Sequence, residues 1–348
     1  MESRQERERG PKPRCIMEKN MSTHSVNIIE ITSILPHENA DRLEIIPVNG
    51  WQAVVGKGQF KLGDRAVYIE PDYTVPTNRP EFAFLAKEGK ERHRLKAIRL
   101  RGVLSYGLLI PLPVALGDRA VGDDVMADLS VERYEPPIEF GPRDELPHNE
   151  WPQVHAPKFD IESLQKFPGI LQPGEPVIVT EKIHGANARY VFVDGVFYMG
   201  SRTRWLKPDA MHEWRRAADS EPRIRSWCGG HPGVVLYGEV FGAVQSLKYG
   251  SSSAVRFAAF AASERGEWWD TERLHADPSL PVVPVIYEGP WDPSLVLPLA
   301  ELDSSVQGVG SGHMREGIVI VPKRERRCGE IGRVALKHIS NRYWESAL

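Results

Sequence analysis

The stretch Thr180-Glu181-Lys182-Ile183-His184-Gly185-Ala186-Asn187-Ala188-Arg189 closes one apolar run, PVIV, and opens another, RYVFV. A lysine at a strand end, followed by a glycine turn, presents an amine where a ligand can reach it. Such an amine becomes a nucleophile when burial or nearby positive charge lowers its pKa enough to leave free base. Attack on the α-phosphate of a nucleotide would then give a phosphoramidate. An isolated Lys-x-x-Gly is more often a surface lysine beside a turn, so its companions along the chain decide. Five further elements come in order: Gly200-Ser201-Arg202, Leu236-Tyr237-Gly238-Glu239-Val240, Phe257-Ala258-Ala259-Phe260, Arg315-Glu316-Gly317-Ile318-Val319-Ile320, and Ala335-Leu336-Lys337. Singly, Arg202 is a surface arginine, Glu239 an acid on a solvated face, Phe257 a core residue and Glu316 a charge at a strand start. Their joint order is what chance does not supply.

That ordered series resembles the one that marks covalent nucleotidyltransferases, the superfamily of polynucleotide ligases and RNA capping enzymes. The form Glu181-Lys182-Ile183-His184-Gly185 with Asn187, where DNA ligases show Lys-x-Asp-Gly, is similar to the RNA ligases, and the resemblance covers roughly residues 175 to 340. It implies that Lys182 carries the adenylate, Glu181 recognises adenine, and Arg202 and Glu239 meet the nucleotide sugar and nearby phosphate. It implies that Phe260 stacks on the purine, a contact worth roughly 1 to 3 kcal/mol per base. Glu316, with Glu239, would hold Mg2+ or Mn2+, because a hard cation with oxygen ligands suits a polyphosphate. Lys337 would sit on the α-phosphate, and His184 and Asn187 would orient a 5′-phosphate or the leaving pyrophosphate. Two positions depart from the pattern. Ala261 stands where an acid usually follows the stacking aromatic, and one lysine stands where the last element usually has two, so that either the second is absent or Arg333, His338 or Lys323 covers its role.

These residues need elements to hold them. PVIVTEK, ARYVFVDGVFYMG, VVLYGEVFG, VRFAAFAA, GIVIVP and RVALKHI read as strands, with helical texture mainly in MHEWRRAADSEPRIRSW. Ahead of them, VNIIEITSILP, LEIIPVNGWQAVVG, DRAVYIEPDYTVP and KAIRLRGVLSYGLLIPL are rich in Val, Ile, Leu and Tyr and are separated by turn residues, which fits five or so short strands in a small barrel. Asn49-Gly50 is a tight-turn signal between two of them. The run Pro36-His37-Glu38-Asn39-Ala40-Asp41-Arg42-Leu43-Glu44 looks like the opening of OB-fold modules that bind tRNA, and the arrangement is similar to the N-terminal module of one RNA ligase family. Lys87, Lys90, Arg92, His93, Arg94, Lys96, Arg99 and Arg101, with Tyr73 and Tyr106 near in sequence, read as a hairpin able to track a phosphate backbone. A second basic run, Lys323, Arg324, Arg326 and Arg327, would meet a duplex on the catalytic side.

The 348 residues are 41% hydrophobic and 26% charged, enough for two ordinary cores, and a net charge of -3 excludes binding through uniform basicity. Cys15, Cys228 and Cys328 are scattered, which supports neither a disulfide framework nor a cysteine zinc site. No apolar run approaches the ~18 residues of a membrane span, and a cytoplasmic protein is expected. Residues 1–21 read as a loose tail, 22–115 as an OB-fold module, 116–150 as a linker rich in Pro, Asp and Glu, and 151–348 as the nucleotidyltransferase domain. The expected fold class is α+β, an N-terminal OB-like β-barrel followed by an antiparallel-rich nucleotidyltransferase (ATP-grasp-like ligase adenylation) domain. The chain ends at Leu348, soon after Lys337, which leaves no room for the C-terminal OB domain of DNA ligases and capping enzymes. The resemblance implies an ATP-dependent RNA ligase, with AMP carried on Lys182, sealing a nicked duplex nucleic acid whose 3′-OH strand is RNA. The alternatives are a DNA ligase, an RNA guanylyltransferase, or a non-catalytic OB-fold protein that binds tRNA or other RNA.

Overall fold

The structure, a computed structural model, describes residues 24–134 and 144–346. The expected tail, residues 1–21, lies outside the described residues, as does part of the expected linker.

Short apolar runs build the N-terminal barrel, and in Arg65–Ile69 both faces are buried, Val67 and Ile69 on one side and Ala66 and Tyr68 on the other. Asn27–Glu30 pairs antiparallel with Arg65–Ile69, which pairs in turn with Leu108–Pro111. Leu43–Val48 and Trp51–Gly56 form a hairpin across Asn49-Gly50, both at positive φ (47° and 70°), a turn that Asn-Gly adopts with little strain. The run from Lys96 to Pro111 is not one or two strands but three, Ala97–Leu100, Val103–Tyr106 and Leu108–Pro111, interrupted at Arg101-Gly102 and Gly107. Val26, Ile28, Val67, Ile69, Val75 and Phe82 form a core that also takes in Val125, Leu129 and Val131. Glu132–Arg133 then pairs with Tyr73–Pro76. Pro, Gly and Asp in this later stretch disguise a segment whose few apolar residues are buried.

The C-terminal region is two sheets. Five strands run in the order Glu162–Ser163, Leu336–Ile339, Gly317–Pro322, Pro176–Lys182, Val285–Pro290, antiparallel except for the first pair. Six antiparallel strands run in the order Trp205–Leu206, Val196–Gly200, Ala186–Val193, Val234–Gly242, Val255–Glu264, Glu267–Trp268. The helical stretch divides at Glu221-Pro222 into helices Glu213–Ser220 and Arg223–Gly230. Their Trp214, Ala217, Ile224 and Trp227 cover one face of the six-stranded sheet, against Tyr190, Leu236, Val240 and Phe257. Phe257 is therefore core, as expected of it taken singly.

The barrel is docked on the second region through Trp51 and Tyr106, which pack against Tyr343 and Trp344 of the final helix, Asn341–Ser346. Tyr106 donates to Asn341 at 2.9 Å, and Arg99 pairs with Glu345. Among the described residues, no helix is long and apolar enough to cross a membrane.

Candidate active site

Lys182 ends one strand of the five-stranded sheet, and the Ile183-His184-Gly185 turn carries the chain directly into the other sheet at Ala186. The amine therefore stands at the crossover between the sheets. Period-two alternation assigns the neighbours: Val177 and Val179 face a core cluster, whereas Thr180 and Lys182 face a pocket of about 580 Å³. Lys182, Glu316 and Lys337 reach it from the five-stranded sheet, and Asn187, Arg202, Glu239 and Phe260 from the six-stranded one, with Glu181 and His184 at the crossover. Every candidate site residue drawn from the sequence borders this one cavity.

Register explains the convergence. Lys182 lies opposite Gly317, so Glu316 arrives at the same level, and Val319 lies opposite Lys337. Asn187 lies opposite Glu239. A bulge between Tyr237 and Gly238 adjusts the Glu239 strand against its neighbour. A Cβ on Gly238 would stand 2.2 Å from the Phe257 ring, so only glycine lets the two strands approach there.

Electrostatics dominate the pocket. Lys182 Nζ lies 2.7 Å from Glu316 Oε1. Burial disfavours the ammonium, but the Glu316 and Glu239 carboxylates outweigh it and hold the Lys182 pKa above its ordinary value. Burial likewise disfavours the Glu316 carboxylate, yet Lys182 and His184 bring its pKa down to about 2. Glu239 has no such rescue: burial, with Glu316 nearby, pushes it up to about 8 despite Lys182. Lys337 is pushed down to about 8 by burial, then by Arg133 and Lys182.

Three side chains that line this cavity each carry a buried polar atom with no hydrogen-bond partner among the described residues, Glu316 Oε2, Asn187 Oδ1 and Arg333 Nη1. Buried polar atoms are rarely left so, which marks the wall of this cavity as short of polar partners. Among the described residues no three His, Cys, Asp or Glu side chains form a metal cage. A divalent cation fits all the same, because Glu316 and Glu239 offer carboxylate oxygens and such ions keep water and phosphate oxygens in their shells.

Other residues are fixed by their surroundings. Glu181 accepts from Ser304 Oγ and Ser305 N, both at 2.6 Å, in a loop anchored by Arg315 through Leu299 O and Ser305 Oγ. His184 N–H donates to Tyr249 Oη at 2.7 Å, and its ring nitrogens lie 3.0 Å from Ser246 Oγ and 3.3 Å from Tyr343 Oη. Arg202 is paired with Asp160. Phe260 packs on Phe159 with ring centroids 4.3 Å apart.

Of the three replacements considered for the second lysine, only Arg333 borders the pocket, stacked 4.3 Å over Trp268 and paired with Glu325. His338 turns to Gln165 and Lys323 to Glu288 and Glu272. In the second basic run, Lys323, Arg324 and Arg326 are each paired with acids of this chain, so a duplex meeting them there would compete with Glu288, Asp270 and Glu175. The first run also divides, since Arg99 turns to Glu345 while Arg94 enters the pocket paired with Asp72 at 2.6 Å.

Sequence reasoning missed the pocket residues Asp72, Arg133, Tyr134, Asp160 and Tyr343. Three come from the barrel side, and no local motif marks them. Only the positive φ of Asp72, at 65°, singles one out, and that is a structural signal.

Comparison with known proteins agrees with this geometry. The RNA ligase family matches residues 175–339, and an OB-fold domain matches residues 25–112. No curated protein matches. Among solved structures, the chain is similar to the Naegleria gruberi RNA ligase with pyrophosphate, at 26% identity and TM-score 0.75 over 92% of this chain and 98% of that one. A mutant of that ligase with ATP and manganese is similar at 25% identity and TM-score 0.74, over 92% and 98%. An apo mutant form is similar at 25% identity and TM-score 0.75, over 94% and 99%. An amine between two sheets, six ordered elements lining one cavity and a barrel docked beside it are thus found together in a chain whose residues 175–339 match the RNA ligase family and whose residues 25–112 match an OB-fold domain.

Proposed function

We propose that this enzyme, an ATP-dependent RNA ligase, seals 3′-OH/5′-phosphate nicks whose 3′-OH strand is RNA, using ATP and a divalent metal ion. The observation that carries the reading is the Lys182 amine, held 2.7 Å from Glu316 inside the cavity that all the candidate residues border.

The reaction runs in three steps. Lys182 Nζ attacks the α-phosphorus of ATP, a P–N bond forms, and the bond to pyrophosphate breaks. A 5′-phosphate oxygen at the nick then attacks the same phosphorus and releases the amine. Last, the 3′-OH attacks the adenylylated 5′-phosphate and expels AMP.

Lys182 is held as an ammonium by Glu316, so it must give up a proton before it can attack. Lys337, which makes no ion pair among the described residues, is the cation left to meet charge building on the α-phosphate oxygens. Arg202 and Glu239 approach the nucleotide sugar. Phe260, backed by Phe159, offers its remaining face to the purine. Both Glu181 oxygens are already engaged, so Glu181 fixes the strand end beside the adenine more than it grips the base. His184 and Asn187 turn toward the 5′-phosphate or pyrophosphate. A divalent cation bound by Glu316 and Glu239 would supply positive charge against the polyphosphate.

The test uses labelled ATP or GTP, then nicked duplexes with an RNA or a DNA 3′-OH strand. Label transfer from ATP and sealing only with RNA at the 3′-OH are expected. Transfer from GTP, or equal sealing of all-DNA nicks, would overturn the reading.

A further inference from the structure

Lys182 has held neighbours on both sides. Before it, Glu181 accepts from Ser304 Oγ and Ser305 N, in a loop over residues 303–314 that is closed where Asp303 bridges Met314. After it, His184 is held by a second loop, residues 243–254, closed by the bond from Ala243 N to Ala254 O at 3.0 Å. Tyr249 Oη in that loop accepts the His184 main-chain N–H at 2.7 Å, and Ser246 Oγ lies 3.0 Å from the His184 ring. The amine therefore leaves the chain between two gripped residues.

The two loops are also fastened to each other. Tyr249 N–H donates to His313 Nε2 at 3.2 Å, which leaves the ring hydrogen of a neutral His313 on Nδ1, 2.9 Å from Met314 O. The Tyr249 and His313 rings stack with centroids 4.8 Å apart, and Arg256 Nη2 donates to Gln307 O at 2.8 Å. Ser304 N donates to His313 O at 2.7 Å, so His313 is one hydrogen bond away from a residue that holds Glu181.

Tyr249 makes this junction from a costly backbone. Its φ is 47°, in the left-handed region, where the Cβ of a bulky residue crowds the main chain. Such a conformation persists only where the surroundings over-determine it. Here they do, through the hydroxyl on His184, the ring on His313 and an edge contact with Phe241 at 5.2 Å, and the side chain is 1% exposed. Neither Tyr249 nor His313 is among the described residues that line the lysine pocket, so any effect on the chemistry passes through the segment that carries Lys182. We infer that Tyr249 and His313 are positioning residues for the first step, joining the two loops into one clamp that fixes the main chain on either side of Lys182 and so aims the amine at the α-phosphorus.

This inference rests on the ligase reading, and its test separates the two. Single-turnover adenylylation at varied ATP would be measured where circular dichroism shows each variant folded, beside sealing of a nicked duplex whose 5′-phosphate already carries AMP. That second reaction needs no attack by Lys182. Tyr249→Phe keeps the stacked ring and removes only the acceptor for the His184 N–H, while the His184 ring keeps Ser246 and Tyr343. Its maximal adenylylation rate should fall about 10- to 100-fold, with the half-saturating ATP concentration within about twofold and pre-adenylylated sealing within about threefold of wild type. His313→Ala should slow adenylylation about tenfold, and His313→Gln, whose side-chain oxygen can accept from Tyr249 N–H, should recover most of that rate. A wild-type AMP adduct with an unchanged maximal rate in Tyr249→Phe would overturn this inference alone. Equal loss of adenylylation and of pre-adenylylated sealing would do the same, as would His313→Gln no faster than His313→Ala. Wild-type protein that forms no AMP adduct would overturn the ligase reading and this inference with it.

Discussion

Lys182 rests as a charged amine. On the proposed reading, its pairing with Glu316 keeps the amine unreactive until a nucleotide arrives and ties activation to whatever rearranges Glu316. Lys337 has the opposite setting. Its ammonium is disfavoured in the free protein, with a pKa of about 8, while a phosphate needs that charge. Below about pH 8 Lys337 is charged and ready, and above it nucleotide binding must first take up a proton. Affinity for a non-cleavable ATP analogue should therefore fall above about pH 8, by up to about tenfold per pH unit for one linked proton. The Lys337→Arg variant should bind with a flat profile between about pH 8 and about pH 10, because a guanidinium stays charged there, and calorimetry in two buffers of different ionisation enthalpy would detect the proton uptake. Lys337→Ala should slow adenylylation by about 10²- to 10³-fold. At this scale the convergence was legible, since the ordered elements that carry Lys182, Arg202, Glu239, Phe260, Glu316 and Lys337 all border one cavity. Pairing was not legible. Nothing near Lys323 announces that Glu272 and Glu288 claim it, or near Arg94 that Asp72 does.

Strands aim the residues, and their spacing does so with little tolerance. Val235, Tyr237, Glu239 and Phe241 face the inter-sheet side while Leu236 and Val240 face the helices, so a slip of one residue would turn Glu239 out of the pocket. The bulge at Tyr237/Gly238 and the Phe257 ring against Gly238 fix that register. Gly238→Ala should destabilise the protein by about 1 to 3 kcal/mol, a Tm loss of several degrees, and should cut adenylylation more than the Tm loss explains. Calorimetry and a single-turnover assay together would show this, and wild-type adenylylation in a folded variant would refute it. Strand existence was readable from runs of Val, Ile, Leu and Tyr bounded by turn residues. The fate of residues 116–134 was not, because Pro, Gly and Asp punctuate that stretch and only a few residues such as Val125, Leu129 and Val131 reach the core.

At the scale of the whole molecule, the barrel completes the site. Asp72, Arg94, Arg133 and Tyr134 reach the lysine pocket from the N-terminal side, and adjacent residues of the last helix face both ways. Tyr343 touches His184, and Trp344 packs on Trp51 and Tyr106. Trp344→Ala should cost about 3 to 5 kcal/mol at this junction, split thermal unfolding into two transitions, and weaken both adenylylation and RNA binding. A single transition with unchanged adenylylation would show that the barrel serves RNA alone. No sequence pattern could reveal this docking, since its contacts join the two ends of the chain. The central claim remains that one amine carries the nucleotide. Intact-mass analysis after incubation with ATP and Mn2+ should show a gain of one AMP that survives denaturation on wild-type protein and none on Lys182→Ala. No gain on wild type, or the same gain on the variant, would contradict it.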